Sequence, residues 1–354
     1  MSIEASGFLP INLLTGFLGS GKTTLLKRIL ADPAFADTAV LINEFGEIGL
    51  DHDLVESVDG EMVLLRSGCV CCTVRGELAA ALKELYSRRE RGLLPPFRRV
   101  IIESTGLADP FPVLSTIKAD PVLRHHFCAG NVITTVDAVN GLRQLDTYIE
   151  SNRQAAIADR LIVTKTDLEA GCEGEALQAR LRTLNPDAPI LRAADPDLDL
   201  SSLVAVQSNL APSSSLSQSG FYCEEPMQLV SSDGVAHQAA ISSISLSINQ
   251  PVDWTAFGLW LTMLLNRHGE RILRVKGILN LSGEERPVAV HGVQHLVHTP
   301  VHMDGWPSED RTSRLVFILD GLDGDLLKRS FVAFTLARMP QMPSAAYSMI
   351  AAAR

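Results

Sequence analysis

Over roughly the first 205 residues, short and nearly unbroken apolar runs alternate with stretches of helical spacing; the runs are INLL at 11–14, TAVLIN at 38–43, RRVIIE at 98–103, NVITTVD at 131–137 and DRLIVT at 159–164. Runs of this length predict strands, and their alternation with helices predicts a parallel α/β sheet. Between them, Leu78, Leu82 and Leu85 recur at helical spacing in GELAAALKELYSRRERG, which predicts one amphipathic helix. Every strand run ends where residues capable of chemistry begin, and open α/β sheets bind their ligands at the carboxyl ends of strands.

The grammar changes at SNLAPSSSLSQSG, Ser208–Gly220, which is rich in serine and has no periodic apolar face, as expected of a linker. Beyond it lie the alternating segment ISSISLSI, a helix predicted over Trp254–Leu265, and three strand-like runs, RILRVKGILNL, PVAVHGVQHLV and SRLVFILDG. A last helix is predicted around Asp325–Arg338. The fold class expected is α/β, with a mostly parallel sheet in a nucleotide-binding domain over residues 1–207, a linker over 208–235, a smaller C-terminal α+β domain over 236–340 and a tail over 341–354. Trp254, Trp260 and Trp306 are expected in the core of the second domain.

Composition narrows the chemistry. The 354 residues are 46% hydrophobic and 20% charged, ordinary for a globular chain of two domains. With 31 basic against 41 acidic residues the net charge is −10, which argues against nucleic acid or an anionic membrane surface as a general partner. The opening MSIEASGFLPINLL has no basic residue, and no run approaches the ~20 apolar residues of a membrane span, so a cytoplasmic location is expected.

GFLGSGKT, Gly16–Thr23, fits the phosphate-binding loop in its required context, an apolar strand before it and the helix-like TTLLKRIL after it. Gly16, Gly19 and Gly21 let backbone N–H groups turn inward beside Ser20. Lys22 reaches the β and γ phosphates, and Thr23, followed by Thr24, can ligate Mg²⁺. In VIIESTG a strand delivers Glu103 to where such proteins keep an acid on the Mg²⁺ shell, and Gly106 follows where a backbone N–H can sense the γ phosphate. In VTKTDL the Asp167 carboxylate can accept the paired donors of guanine, and the stem of Lys165 can cover the base. These features favour GTP over ATP, although Thr164 stands where the usual motif has Asn, and a hydroxyl replaces only part of an amide. An ATP-dependent kinase or transferase stays open on these residues alone.

The remaining chemistry lies in RSGCVCCTVRGEL. Cys69, Cys71 and Cys72 are three of only six cysteines, and in a reducing compartment clustered thiols bind metal or react rather than staple a fold. Thiolates suit Zn²⁺ or Cu(I), and with mixed ligands cobalt or iron. A helix starting near Thr73 would stabilise them through its N-terminal dipole. Three sulfurs do not complete a tetrahedral shell; Glu44, Glu47, His52, water or a partner protein can supply the rest. A closed structural zinc site would need a second C-x-x-C half, which Cys128, Cys172 and Cys223 do not form; redox sensing or inert burial would also suit such thiols. INEFGEIGLD, Ile42–Asp51, lies between phosphate loop and cysteines and reads as a nucleotide-dependent switch, with Glu44, Glu47 and Asp51 as metal or Mg²⁺ contacts. His291, His295, His298 and His302 are read as scattered, His291 and His295 sharing a strand face and His298 pointing the other way.

GFLGSGKTT, NEFGEIGLD, GCVCCT, ESTGLADP, TKTDL and LRVKGILNL, in that order, resemble the CobW-type GTPases, relatives of the nickel-insertion GTPases. The resemblance implies a GTPase that uses GTP/GDP and Mg²⁺, binds Zn²⁺ or Co²⁺ at Cys69, Cys71 and Cys72, and delivers it to a client metalloprotein; a second copy of the chain is a further candidate partner. It implies phosphate and Mg²⁺ contacts from Gly19 to Thr24, an acidic switch at Glu103 and Gly106, and guanine reading by Lys165 and Asp167. The long histidine tract of some relatives is missing. No glutamine follows Glu103 in its segment, so slow intrinsic hydrolysis is expected. A nucleotide-gated metal sensor that delivers nothing is the rival reading.

Overall fold

The computed structural model describes residues 8–43, 64–67, 74–168, 173–205 and 241–336. The predicted linker and tail, and Glu44, Glu47, Asp51, His52, Cys69, Cys71 and Cys72, lie outside them.

The first sheet has seven strands, all parallel: β1 (Leu9–Gly16), β2 (Thr38–Asn43), β3 (Leu64–Ser67), β4 (Arg99–Glu103), β5 (Phe127–Asp137), β6 (Arg160–Thr164) and β7 (Ile190–Arg192). Their spatial order is β3-β2-β4-β1-β5-β6-β7. Five of these are the apolar runs of the sequence. The short β3 and β7 are not expected from it. Helices α1 (Lys22–Leu30), α2 (Val74–Glu90), α3 (Phe111–Ala119), α4 (Leu123–His126), α5 (Gly141–Thr147), α6 (Ile149–Ile157), α7 (Glu173–Leu184) and α8 (Leu200–Val204) make the crossovers. One sheet face packs on α2 and α3 through Leu82, Leu85, Val113 and Ile117, the other on α1 and α8 through Leu26, Ile29 and Leu203. Burial on both faces explains why these strands lack polar alternation.

The second domain is a mixed layer of β8 (Ile241–Ile248), α9 (Trp254–His268), β9 (Ile272–Leu279), β10 (Val288–Val293), β11 (Leu296–Val297), β12 (Val301–His302), β13 (Ser313–Asp320) and α10 (Gly324–Phe331), with a π-helical turn at Val332–Leu336. Its antiparallel sheet runs β11-β10-β9-β13-β8, with β12 on β10. Side chains alternate along a strand, so Leu315, Phe317 and Leu319 of β13 face α9 and α10, while Ile318 joins the core of the first domain beside Leu273 and Val293. Trp260 fills the second core, edge-on to Phe317 and Phe331. Two tryptophans differ from expectation: Trp254, in the first turn of α9, is 43% exposed, and Trp306 is only partly covered. Trp254 instead lies outside the core, its ring centroid 6.0 Å from that of the buried Phe257.

The domain seam contains a buried ionic group. Arg274 is 1% exposed; Nη1 donates to the carbonyls of Ile157 and Ala158, and Nη2 donates to Asp159 Oδ1. Asp159 Oδ2 accepts from the Val132 N–H at 2.8 Å. Burial pushes the Asp159 carboxyl up, but Arg274, His291 and Lys276 outweigh it and hold it well below the usual carboxylate range. Burial, with Lys118 adding to it, pushes His298 down to about 4. Both groups bind fewer protons folded than unfolded, so both lose their stabilising contribution as pH falls. Urea denaturation should show stability declining from about pH 6.5 towards pH 4, and His298→Gln should flatten that decline. Arg274→Ala, which leaves Asp159 buried without its main partner, should cost about 3–5 kcal/mol in the same measurement.

Candidate nucleotide-binding site

Parallel register brings the chemistry to one edge. Leu14 pairs with Glu103, Gly16 with Thr135, and Asp137 with Thr164, so four strands end side by side there. The chain leaves β1 towards β2 on one side and leaves β4 towards β5 on the other, the arrangement that opens a crevice above a parallel sheet.

The phosphate loop is built around backbone that only glycine tolerates. Gly16 has φ +140°, and a Cβ there would sit 2.3 Å from Thr135 Oγ1 and 2.4 Å from the Thr135 carbonyl. Gly19 and Gly21 are left-handed at φ +71° and +86°. Gly21 precedes α1 and carries no side chain to cap it, which leaves the first N–H groups of the helix for an anion. Ser20 Oγ and Thr135 Oγ1 lie 2.7 Å apart and fix the loop to β5. Lys22 Nζ donates to the carbonyls of Gly16 at 3.0 Å and Phe17 at 3.1 Å. Burial pushes its pKa down, with Glu103 partly offsetting this; a phosphate at this position would compensate the ammonium far better than two carbonyls.

Thr23 Oγ1 donates to Glu103 Oε1 at 2.7 Å, placing a hydroxyl and a carboxylate where Mg²⁺ needs hard oxygen ligands beside phosphate. The donor set fits that ion. Ser104 Oγ donates to Thr15 Oγ1 at 2.9 Å, and Gly106 lies so close to the phosphate loop that a Cβ on it would come within 2.6 Å of the Leu18 nitrogen. Gln154 of α6 donates from Nε2 to the carbonyls of Gly106 and Ala108, both at 3.1 Å. Sequence reasoning missed this glutamine because it reaches the loop from 48 residues away.

On the far side of the loop, Thr164 Oγ1 donates to the Ser20 carbonyl at 2.7 Å and lies 3.2 Å from that of Val136. The hydroxyl standing in for Asn is thus committed to joining β6 to the phosphate loop. Lys165 is left-handed, φ +57°, and its Nζ lies 2.6 Å from Asp137 Oδ2. Burial raises the Asp137 carboxyl, but Lys165, the N–H groups of Val139 and Asn140 and the Asn140 amide outweigh it and hold it below its ordinary value. Asp137 is a second missed residue; its signal was visible, since it ends the NVITTVD run as Glu103 ends its own. Asp167 is exposed on the turn after β6.

Strand β3 stops at Ser67 and α2 starts at Val74, so the chain enters and leaves the cysteine motif on this same edge. Ser67 pairs with Asn43, and Ile42 with Glu103, putting β3 two strand positions, or roughly 10 Å, from the strand of Glu103. Among the described residues no group of three or more His, Cys, Asp and Glu is arranged to hold a metal ion. The histidines differ from expectation in one respect. His291 stacks on His298, centroids 4.5 Å apart, because the turn at Gln294 folds β11 back on β10 and carries His298 to the same face. No helix among the described residues is long and apolar enough to cross a membrane.

Fold and edge together define a P-loop nucleotide-binding protein with an appended α+β domain. Residues 10–192 match the CobW/HypB/UreG nucleotide-binding domain and residues 241–335 the cobalamin synthesis protein cobW C-terminal domain; the chain belongs to this family. It is 34% identical to the zinc chaperone YjiA of Escherichia coli, over 91% of this chain and 98% of that one. Identity to the zinc chaperone CobW of Pseudomonas aeruginosa is 28%, over 89% and 88%. The crystal structure of Zn(II)-bound YjiA GTPase superposes with a TM-score of 0.69 at 31% identity, covering 92% of this chain and 99% of that one.

Asp137→Asn keeps the shape but removes the charge that holds Lys165. It should weaken GDP binding about 10–100-fold, the worth of one charge-assisted hydrogen bond, when measured by fluorescent-nucleotide displacement. Thr164→Val should cost about 1–3 kcal/mol in urea denaturation, because the buried Ser20 carbonyl loses its donor.

Proposed function

We propose that this protein is a GTP-hydrolysing metallochaperone. It loads a transition metal, Zn²⁺ or Co²⁺, at Cys69, Cys71 and Cys72, and passes it to a client metalloprotein under control of the bound nucleotide. The observation that carries the reading is the shared edge: β3 and α2 hold both ends of the cysteine motif on the sheet edge that bears Lys22, Thr23 and Glu103. The names of two relatives, the zinc chaperones YjiA and CobW, support it, as does the solved structure of YjiA, a GTPase bound to Zn(II).

In this reading the loop N–H groups and Lys22 offset charge that grows on the phosphates during transfer to water. Thr23 and Glu103 would hold Mg²⁺, which would supply charge neutralisation at the phosphates. Lys165 covers the base and Asp167 accepts from it. Glu44 and Asp51 serve the metal and Mg²⁺ shells. Gly106 senses the γ phosphate through its N–H. When the γ phosphate leaves, the contacts that order the segment after β2 are lost, and the sulfur site with them becomes a weaker one.

Zn²⁺ and Co²⁺ titrated into the nucleotide-free, GDP and non-hydrolysable-GTP forms should bind with affinities that differ at least ~10-fold between nucleotide states, the usual scale of allosteric coupling. The triple variant Cys69→Ala, Cys71→Ala, Cys72→Ala should abolish that binding. Equal affinities in all three forms would overturn nucleotide control, and ATP competing as well as GTP would move the protein to another class.

A further inference from the structure

Helix α6 touches the phosphate loop, the loop after Glu103 and the second domain. At its start the Tyr148 ring lies 4.6 Å from that of Phe17, whose carbonyl receives Lys22. In its middle Gln154, 1% exposed, holds two carbonyls of the loop that follows Glu103. The neighbouring Arg153 lies 3.9 Å from Asp109 at the end of that loop and 3.0 Å from Asp320 of β13 in the second domain. Asp109 in turn accepts from the Phe111 N–H at the start of α3. At its end, α6 gives the carbonyls of Ile157 and Ala158 to Arg274 of the second domain.

We propose that Gln154 is a positioning residue for GTP hydrolysis and that α6, through Arg153, couples the loop after Glu103 to the seating of the second domain. This rests on the GTPase reading above. One amide bonded to the carbonyls of Gly106 and Ala108 fixes the path of the peptide between them. Gly106 is already pressed against Leu18, so a displacement of this residue towards a γ phosphate either carries Gln154 along or breaks its bond to the Gly106 carbonyl. A nine-residue helix transmits such a displacement as one body. Arg153 then has to redistribute its charge between two carboxylates, one on the loop and one on the second domain. Neither needs to touch nucleotide.

The test uses a convenience of the sequence: its three tryptophans, Trp254, Trp260 and Trp306, all lie in the second domain. In the full chain, tryptophan emission should differ between the GDP and non-hydrolysable-GTP forms. Arg153→Ala and Asp320→Asn should each remove most of that difference while fluorescent-GDP affinity stays within about twofold; Arg153→Lys should restore part of it. Gln154→Leu should lower kcat for GTP roughly 10–100-fold, the penalty of misplacing a reacting geometry, with KM little changed. A chain that binds both nucleotides without any emission difference, or variants that respond as the parent does, would overturn the coupling. An unchanged kcat in Gln154→Leu would overturn the positioning role. Failure to bind guanine nucleotide at all would sink the GTPase reading itself, and the inference with it.

Discussion

The close contact of β1 with β5 is the constraint on which the site depends. Gly16 pairs with Thr135, and the space where its side chain would be is filled by the Thr135 hydroxyl and carbonyl. That contact sets where the phosphate loop leaves the sheet, and Ser20, bonded to the same threonine, sets where it returns. With both ends fixed on one neighbouring strand, the loop carbonyls turn to Lys22, leaving the first N–H groups of α1 for an anion. Any side chain at Gly16 would therefore displace the whole cradle from β5.

The threonine at position 164 becomes intelligible in this frame. An amide there can serve scaffold and base together, because it carries two donors and an acceptor. A hydroxyl has one proton, and here it goes to the Ser20 carbonyl, the link that keeps β6 on the phosphate loop. The requirement kept is the mechanical one. Next door, Lys165 has a left-handed backbone, and its ammonium is tied to the buried Asp137 carboxylate. A lysine stem so fixed loses little entropy on covering a flat ring, which a freely rotating one would lose.

Much of this is readable in the chain itself. The five long apolar runs, the phosphate loop, Glu103 at a strand end and the change of grammar after residue 205 are local patterns, and each appears in the fold as a strand, a loop or a change of sheet type. What escapes is non-local. β3 and β7 are four and three residues long, too short for a periodicity, and they exist because longer neighbours offer them an edge. Gln154 gives no signal in sequence, since its meaning lies in carbonyls of another segment. His298 falls on the face opposite to the one expected because one residue with φ +49°, Gln294, reverses the chain between it and His291. Asp137 is different: the rule that exposes Glu103 applies to it equally.

The seam between the domains shows why an ionic group was placed where Leu273, Val293 and Ile318 already supply apolar contact. Helix α6 ends in AAIAD, with no glycine to turn the chain into the left-handed cap that would satisfy its last carbonyls. Its C-cap residue, Ala158, is extended, and Arg274 takes the carbonyls of Ile157 and Ala158 instead. A guanidinium suits that position twice over, since it brings several donors in one plane and a positive charge to the negative end of the helix dipole. Replacing the group with hydrocarbon could be neutral in energy, as buried ion pairs often are, yet it would take the donor from the Ile157 carbonyl, while Asn185 Nδ2 would still hold those of Ala155, Ala156 and Ala158. The second domain thereby shares with Asn185 the finishing of a helix of the first. With its last carbonyls held by Asn185 on one side and Arg274 on the other, α6 has no free end to fray.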